Sequence, residues 1–516
     1  MSLLIYEFME KSAKEHPDTD AIRWLVKKDI HSITYSDLVK NMVNIRRALV
    51  DEGYTHTHVA IIGSTCMEWM EAYLGLVSGT CTAIPLDAAM PKDELFELIR
   101  RADATGIFLG KDLAAWIPEV FEACPQVRRV WFIDGEAPAD DRVGTLAGLI
   151  EKGASCTEDA LPAADDTAMI IFTSGTTGLS KGVMLSHGNI AENVEPQVVS
   201  HGVGVPMLNV LPVHHAFCLV MDWLRGFANA AIVCINDSYM HIVRNMSIFK
   251  PVSTLMVPLM IETIYKRIKN TDPSVPKEAI YQKVFGGSLR RIYAGGAHLD
   301  PYYIDKFAEY GILVLEGYGM SECSPCISAN MAECYKPGSV GKPLKNVVIK
   351  IDEETGEILV KGSSVMQKYY KMPEETAAAL QEGWLHTGDK GYLDEEGFLY
   401  INGRLKNLII LANGENISPE EIENKLALND LIGEVIIAGE DHGLIAHVYP
   451  DPDVVGAKGL SEEQVAAGLQ KILDDYNEGR PSYHQIVGLK VRKYPFIKNA
   501  TKKIKRMEIH RDEPTV

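Results

Sequence analysis

Short apolar runs alternate with amphipathic segments along most of this chain, and that alternation restricts its fold more than any other feature. VAIIG (59–63), TAIPL (82–86), GIFLG (106–110), VWFID (130–134) and AMIIF (168–172) have the length and unbroken apolar character of strands buried on both faces. Between them, MEWMEAYLGLVSG (67–79) and KDELFELIRRA (92–102) carry apolar residues at helical spacing. Strands separated by helices predict an α/β fold whose sheets are mostly parallel and flanked by helices. From about Val340 the texture changes. VVIKID (347–352), GEILVKG (356–362) and GYLDEEGFLYING (391–403) follow one another closely and predict a β-rich subdomain that ends the main body. The remaining residues predict a smaller α+β unit. In it, Asn413-Gly414 between apolar runs signals a hairpin, and Ser418-Pro419-Glu420-Glu421 predicts a helix start with Ser as N-cap and Pro at the first helical position.

Charge and cysteine usage exclude several function classes. Lys plus Arg total 51 against 70 for Asp plus Glu, a net charge of −19. Nucleic acid and anionic membrane both need a positive surface, so neither is an expected partner. The most apolar long stretch, residues 59–79, contains Glu68 and Glu71, and no window reaches the ~18–20 uninterrupted apolar residues of a membrane span. MSLLIYEFMEKSAKEH has no basic leader and is broken by Glu7, so no signal peptide is expected. Nine scattered cysteines, an odd count, predict reduced thiols and a cytoplasmic location. Cys323 and Cys326 have CxxC spacing, but no second pair or His partner completes a zinc site.

The sharpest local feature is TSGTTGLSKG (173–182), between AMIIF and VMLSH. Its glycines let backbone N–H groups face an anion, its hydroxyls add donors, and Lys181 adds a point charge. These residues describe a phosphate-binding loop. It is not the GxxxxGK[ST] loop: counting from Gly175, Ser180 and Gly182 stand where Gly and Ser/Thr are needed.

This loop resembles the signature of the adenylate-forming superfamily of acyl-CoA synthetases, beetle luciferases and peptide synthetase adenylation domains. EGYGMSE (316–322) resembles its second core motif, with Ser321 where Thr is usual. GWLHTGD (383–389) resembles the ribose motif, GRLKNLI (403–409) the hinge motif, and NATKKIKR (499–506) the C-terminal motif with the catalytic lysine. The resemblance implies a large domain, 1–404, and a small mobile C-terminal domain, 405–516. It implies a two-step ligase using ATP, Mg2+ and coenzyme A. Thr173, Ser174, Gly175, Thr176, Thr177, Gly178 and Lys181 would hold the phosphates. Gly295, Gly296, Ala297, Glu316, Gly317, Tyr318 and Gly319 would line the adenosine, Tyr318 stacking on adenine. Asp389 and Arg404 would contact the ribose. Thr177 and Glu322 would hold Mg2+, a hard cation that prefers oxygen donors. Lys503, with Glu322, Ser321 and His215, would act on the reacting groups, and Lys406 would be the hinge. Lys502 stands where the motif usually has Gly.

Both reactants of adenylation are anions, so positive charge must offset their repulsion, and two reactions at one acyl carbon require Lys503 to leave before the thiol enters. HHAFCLVMDW (214–223) has Ala216 where amino-acid adenylation domains place an Asp, which disfavours an amino-acid substrate. GYGMSECSP and GRLKNLIILANGENISPEEIE most resemble bacterial long-chain acyl-CoA synthetases, implying a fatty acid as substrate. Loading of an acyl carrier protein and nucleotide binding without turnover are the alternatives. The acid and the oligomeric state stay open.

Overall fold

The computed structural model describes residues 3–173, 180–194, 202–410, 416–440, 443–498 and 504–510. The chain divides into two compact units, one of residues 1–349 with 360–385, the other of 350–359 with 386–516.

Among the described residues the first unit holds two large sheets. One has eight strands in the order Lys368–Tyr369, Lys181–Ser186, Thr167–Thr173, Thr82–Leu86, His58–Ile62, Gly106–Leu109, Arg129–Phe132, Val143–Thr145. Its strands from Thr167–Thr173 to Val143–Thr145 run parallel. The other two pair antiparallel at one edge. All five apolar runs singled out in the sequence are strands of this sheet, because a parallel strand is covered by helices on both faces and carries apolar residues contiguously. The helices Met67–Val77 and Lys92–Arg101 form where the helical spacing predicts them. Leu95, Phe96, Leu98 and Ile99 join Ile62, Ile84, Ile107 and Phe132 in one core.

The second sheet has nine strands. Its parallel centre runs Leu313–Gly319, Arg291–Ala294, Ser253–Met256, Pro206–Asn209, Ile232–Ile235, Asp20–Val26. Asp29–Thr34 at one edge and Cys326–Ala329 with Lys342–Pro343 at the other pair antiparallel. The glycine-rich loop and the segments 295–299 and 320–323 all follow carboxyl ends of strands, where open α/β sheets place their ligands.

The second unit includes a hairpin, in which residues 389–393 pair with Leu399–Arg404. Its turn is closed by Asp394, whose Oδ1 accepts from the amides of Glu396 and Phe398. Ile432–Glu440 pairs antiparallel with Gly443–Pro450, which pairs parallel with Ile486–Val491. The helices Pro419–Leu426 and Glu462–Asn477 bury Ile422, Leu426, Val465, Leu469 and Leu473 against Val435, Leu444, Val448 and Ile486. This is the α+β arrangement expected. Ile409 pairs with Ile417 and Ile410 with Asn416, as a hairpin requires; Asn413 and Gly414 lie outside the described residues.

The helix at Pro419 begins as predicted, with one difference. The Ser418 hydroxyl caps no backbone amide and donates instead to Glu420 Oε2 at 3.1 Å. Gly403 lies close by: its backbone is at φ +134°, and a Cβ there would stand 2.2 Å from Ser418 Oγ.

Candidate active site

In the first unit, three segments distant in sequence meet at Tyr369. Lys181–Ser186, the strand that leaves the glycine-rich loop, pairs antiparallel with Lys368–Tyr369, Val183 opposite Tyr369. The Tyr370 amide donates to Gly182 O at 2.7 Å. Lys181 Nζ lies 4.9 Å from the centre of the Tyr369 ring, within range of a cation–π interaction. The Tyr369 hydroxyl donates to Glu322 Oε1 at 2.8 Å. Burial, with the Glu322 carboxylate next in effect, pushes the Tyr369 phenol up, so it stays a donor at neutral pH.

Glu322 is 8% exposed and sits on the turn Ser321–Cys323, with Ser321 half-buried at its start. That turn is fastened from several sides. Glu322 O accepts from the Met366 amide at 2.7 Å. The buried Asn193 donates to Cys323 O at 3.1 Å and accepts from the Cys326 amide at 2.9 Å. Ser324 Oγ donates to Ser364 O at 2.9 Å. All nine cysteines are free thiols, Cys323 and Cys326 among the buried ones.

Thr173 pairs with Lys181, so the glycine-rich loop opens from a paired base. Ser174, Gly175, Thr176, Thr177 and Gly178 lie outside the described residues.

Gly295, Gly296 and Ala297 follow the strand Arg291–Ala294, whose Ala294 lies opposite Glu316 on the parallel neighbour. Gly296 and Ala297 are exposed. Gly295 is buried, and a Cβ there would stand 3.0–3.4 Å from the Phe217 ring, which brings the HHAF segment up to the 295–297 segment. Gly317 and Tyr318 pair with Ala329 and Ser328, and Gly319 with Cys326; Tyr318 is half-buried. Glu316 is 6% exposed, and burial lifts its carboxyl to about 8 against the pull of the Leu299 and Gly338 amides. It therefore also fastens the 295–299 segment.

His215 stands before the short helix Ala216–Cys218, its ring 4.3 Å from that of His214. Burial, then His215, drives the His214 imidazole down to about 4, so its 3.7 Å approach to Asp87 is not an ion pair at neutral pH. The chain continues into a π-helical turn, Leu219–Leu224, that its sequence does not distinguish from an ordinary helix. Asp222 on that turn is fully buried, accepts from Asn209 Nδ2 at 2.7 Å, and is lifted to about 7 by burial.

In the second unit, Asp389 is 5% exposed and pairs with Arg404 Nε at 2.9 Å. The HTGD turn is shaped by Glu357, which bonds His386 Nδ1 and the Gly388 amide, both at 2.8 Å. Thr387 Oγ1 donates to Ile358 O at 2.7 Å and accepts from the Asp389 amide at 3.1 Å. Lys406 is exposed on the turn Leu405–Asn407. Lys503 lies outside the described residues. Arg506 of the same motif bonds Glu423, Nη1 to Oε1 at 2.9 Å. Tyr369, Asn193 and Glu357 were not singled out in the sequence, where nothing near them marks a site.

The AMP-binding enzyme family matches residues 9–370, and the AMP-binding enzyme C-terminal domain matches residues 406–512. The chain is 30% identical over 488 residues to the long-chain-fatty-acid–CoA ligase of Bacillus subtilis, covering 84% of this chain and 82% of that one. It is 29% identical over 509 residues to the 2-succinylbenzoate–CoA ligase of Oceanobacillus iheyensis, covering 94% and 96%. Among solved structures, ATP-bound MatB from Rhodopseudomonas palustris superposes with a TM-score of 0.79 at 25% identity, covering 98% of each chain. By the extent of these matches and by its mixed α/β fold, the protein is an AMP-forming acid–thiol ligase of the AMP-binding enzyme family.

Proposed function

We propose that the protein converts a fatty acid, ATP and coenzyme A into acyl-CoA, AMP and pyrophosphate through an acyl-adenylate. The acid's carboxylate oxygen attacks the α-phosphorus and pyrophosphate leaves. The coenzyme A thiol then attacks the acyl carbon, giving up its proton as the thioester forms and AMP leaves. The loop 173–178 and Lys181 bind the phosphates, Tyr318 and the 295–297 and 316–319 segments bind adenosine, and Asp389 and Arg404 bind ribose. Lys503 offsets the charge that develops as the carboxylate attacks. Ser321 and His215 flank the acyl carboxylate. Lys406 is the pivot between domains 1–404 and 405–516.

The carboxylate of Glu322, with the Thr177 hydroxyl, suits a hard divalent cation, and Mg2+ held there would neutralise phosphate charge. One observation supports this reading above all: an ammonium from the phosphate loop, Lys181, and a nearly buried carboxylate, Glu322, share one tyrosine. A cationic phosphate binder and a metal ligand for one nucleotide need that proximity.

The fatty acid draws support from the Bacillus relative, while the Oceanobacillus relative names an aryl acid. Asp222 is engaged by Asn209 in the core, which disfavours a role in binding a substrate ammonium. The cytoplasm fits nine free thiols.

Product analysis by mass spectrometry tests the reading. The protein is incubated with ATP, Mg2+, coenzyme A and acids from acetate to palmitate plus aryl acids. Acyl-CoA and AMP, with a preference for long chains, are expected. Acyl-AMP without acyl-CoA would transfer the second step to an acyl carrier protein, and absence of ATP turnover would overturn the reading.

A further inference from the structure

We propose that Tyr369 is the positioning residue of this site, orienting Glu322 toward the metal through its hydroxyl and Lys181 toward the phosphates through its ring. The proposal rests on the function proposed above. The hydroxyl bonds Oε1 of Glu322 and leaves Oε2 outside that bond, so the carboxylate is held in one rotamer with a hard donor still to offer. The ring meets Lys181 by its face. The two functions of one side chain are therefore separable by substitution.

Tyr369 is itself held firmly. Its amide donates to Thr376 Oγ1 at 3.0 Å, and Thr376 Oγ1 donates in turn to Met372 O at 2.7 Å at the start of the helix Pro373–Ala379. Its strand pairs with the one that leaves the phosphate loop. A carboxylate on a turn and a lysine at a loop end would each sample several rotamers in water. Fixing both beforehand lowers the ordering cost of binding a metal–nucleotide complex.

The test uses the full-length protein without acid, so that nothing turns over. Binding of Mn2+ in the presence of a non-hydrolysable ATP analogue is followed by electron paramagnetic resonance, and binding of the analogue at saturating Mg2+ by calorimetry. Tyr369→Phe keeps the ring and loses the hydroxyl. It is expected to weaken Mn2+ about tenfold, the usual effect of removing a group that orients a metal ligand, and to leave analogue binding at saturating metal unchanged. Tyr369→Leu loses both and is expected to weaken the analogue roughly threefold as well. Thermal unfolding of each variant is recorded alongside. Wild-type Mn2+ affinity in Tyr369→Phe, or equal losses of both affinities in the two variants, would overturn the proposal. Glu322→Gln separates it from the reading it rests on. If that variant binds Mn2+ normally, the metal assignment fails; if it does not and Tyr369→Phe does, only the role of Tyr369 fails.

Discussion

Arg404 Nε lies 2.9 Å from Asp389 Oδ1, and the two residues stand opposite each other in register across an antiparallel pair of strands. Two residues assigned separately to the ribose thus form one unit. Asp389 has a side chain only 7% exposed, against 45% for Arg404, so the carboxylate is the fixed member. A hydrogen bond to a charged group contributes about 1.5–3 kcal/mol, roughly 10- to 100-fold in affinity. Asp389→Ala is expected to weaken ATP binding by that factor and Arg404→Ala by less. The double variant should lose less than the product of the two, read by calorimetry. Strictly multiplicative losses would mean that the two act separately on the nucleotide.

A second expectation concerns acid stability. His187 opens the helix His187–Val194 with 0% exposure, and neither ring nitrogen has a hydrogen-bond partner among the described residues. Burial drives its imidazole down to about 4, against the pull of Asp166. The unfolded chain then binds a proton near pH 6.5 that the folded chain refuses, so the contribution is complete above that pH and is lost as pH falls toward 4. By pH 5 the loss is about 2 kcal/mol. His187→Leu removes this dependence, so the difference in unfolding free energy between variant and wild type should move in the variant's favour between pH 7.5 and 5. A difference independent of pH would show that His187 takes up a proton in the folded state.

The parts of this fold legible in the sequence are those whose cause is local. AMIIF is a strand because contiguous apolar residues suit a doubly covered sheet, and the helix at Pro419 starts where Pro suits the first turn. The candidate site was legible where chemistry is concentrated in the sequence, at Glu322 and Asp389. Asn193 was not, because its function depends on Cys323, 130 residues away. Tyr369 reads as one of two tyrosines before a helix until the fold brings Lys181 and Glu322 to it. The Ser418 hydroxyl departs from the cap pattern by donating to the Glu420 carboxylate, a choice that no local rule anticipates.

Gly295 gives a third test. Gly295→Ala would bring a methyl within 3.0–3.4 Å of the Phe217 ring, closer than van der Waals contact, and displace the HHAF segment. Overpacking of this kind costs typically about 1–3 kcal/mol. Phe217 lies two residues from His215, which the proposed function sets beside the acyl carboxylate, so the variant is expected to raise KM for the acid more than for ATP. Phe217→Ala in the same chain makes room for the methyl and should bring the KM for the acid back toward the wild-type value. A loss confined to ATP would place the strain on the adenosine side instead.

Lys503 carries the sharpest prediction, and the described residues that flank it in sequence, 497–498 and 504–506, are held in place. Lys498 and Ile504 bridge antiparallel, and the Lys505 amide donates to Ile497 O at 2.8 Å. Ile504 packs against Ile436, Phe496 and Ile509. Arg506 bonds Glu423, a buried carboxyl lifted to about 7 by burial, which also accepts from the Ile437 amide at 2.6 Å. Lys503→Ala is expected to lower acyl-adenylate formation about 10²-fold or more, the scale for losing one group that stabilises developing charge. Thioester formation from preformed acyl-AMP should be spared, since that step needs the lysine elsewhere. Arg506→Ala is the contrast. Breaking a buried pair of fixed charges costs about 3–5 kcal/mol; here the cost falls below that, because Arg506 is 25% exposed and burial already lifts the Glu423 carboxyl to about 7, so it can take up a proton when the guanidinium is lost. The variant should lower the unfolding temperature of the C-terminal unit and impair both half-reactions. Half-reaction assays with a thermal melt separate the two variants, and normal adenylation by Lys503→Ala would transfer the role to Lys502.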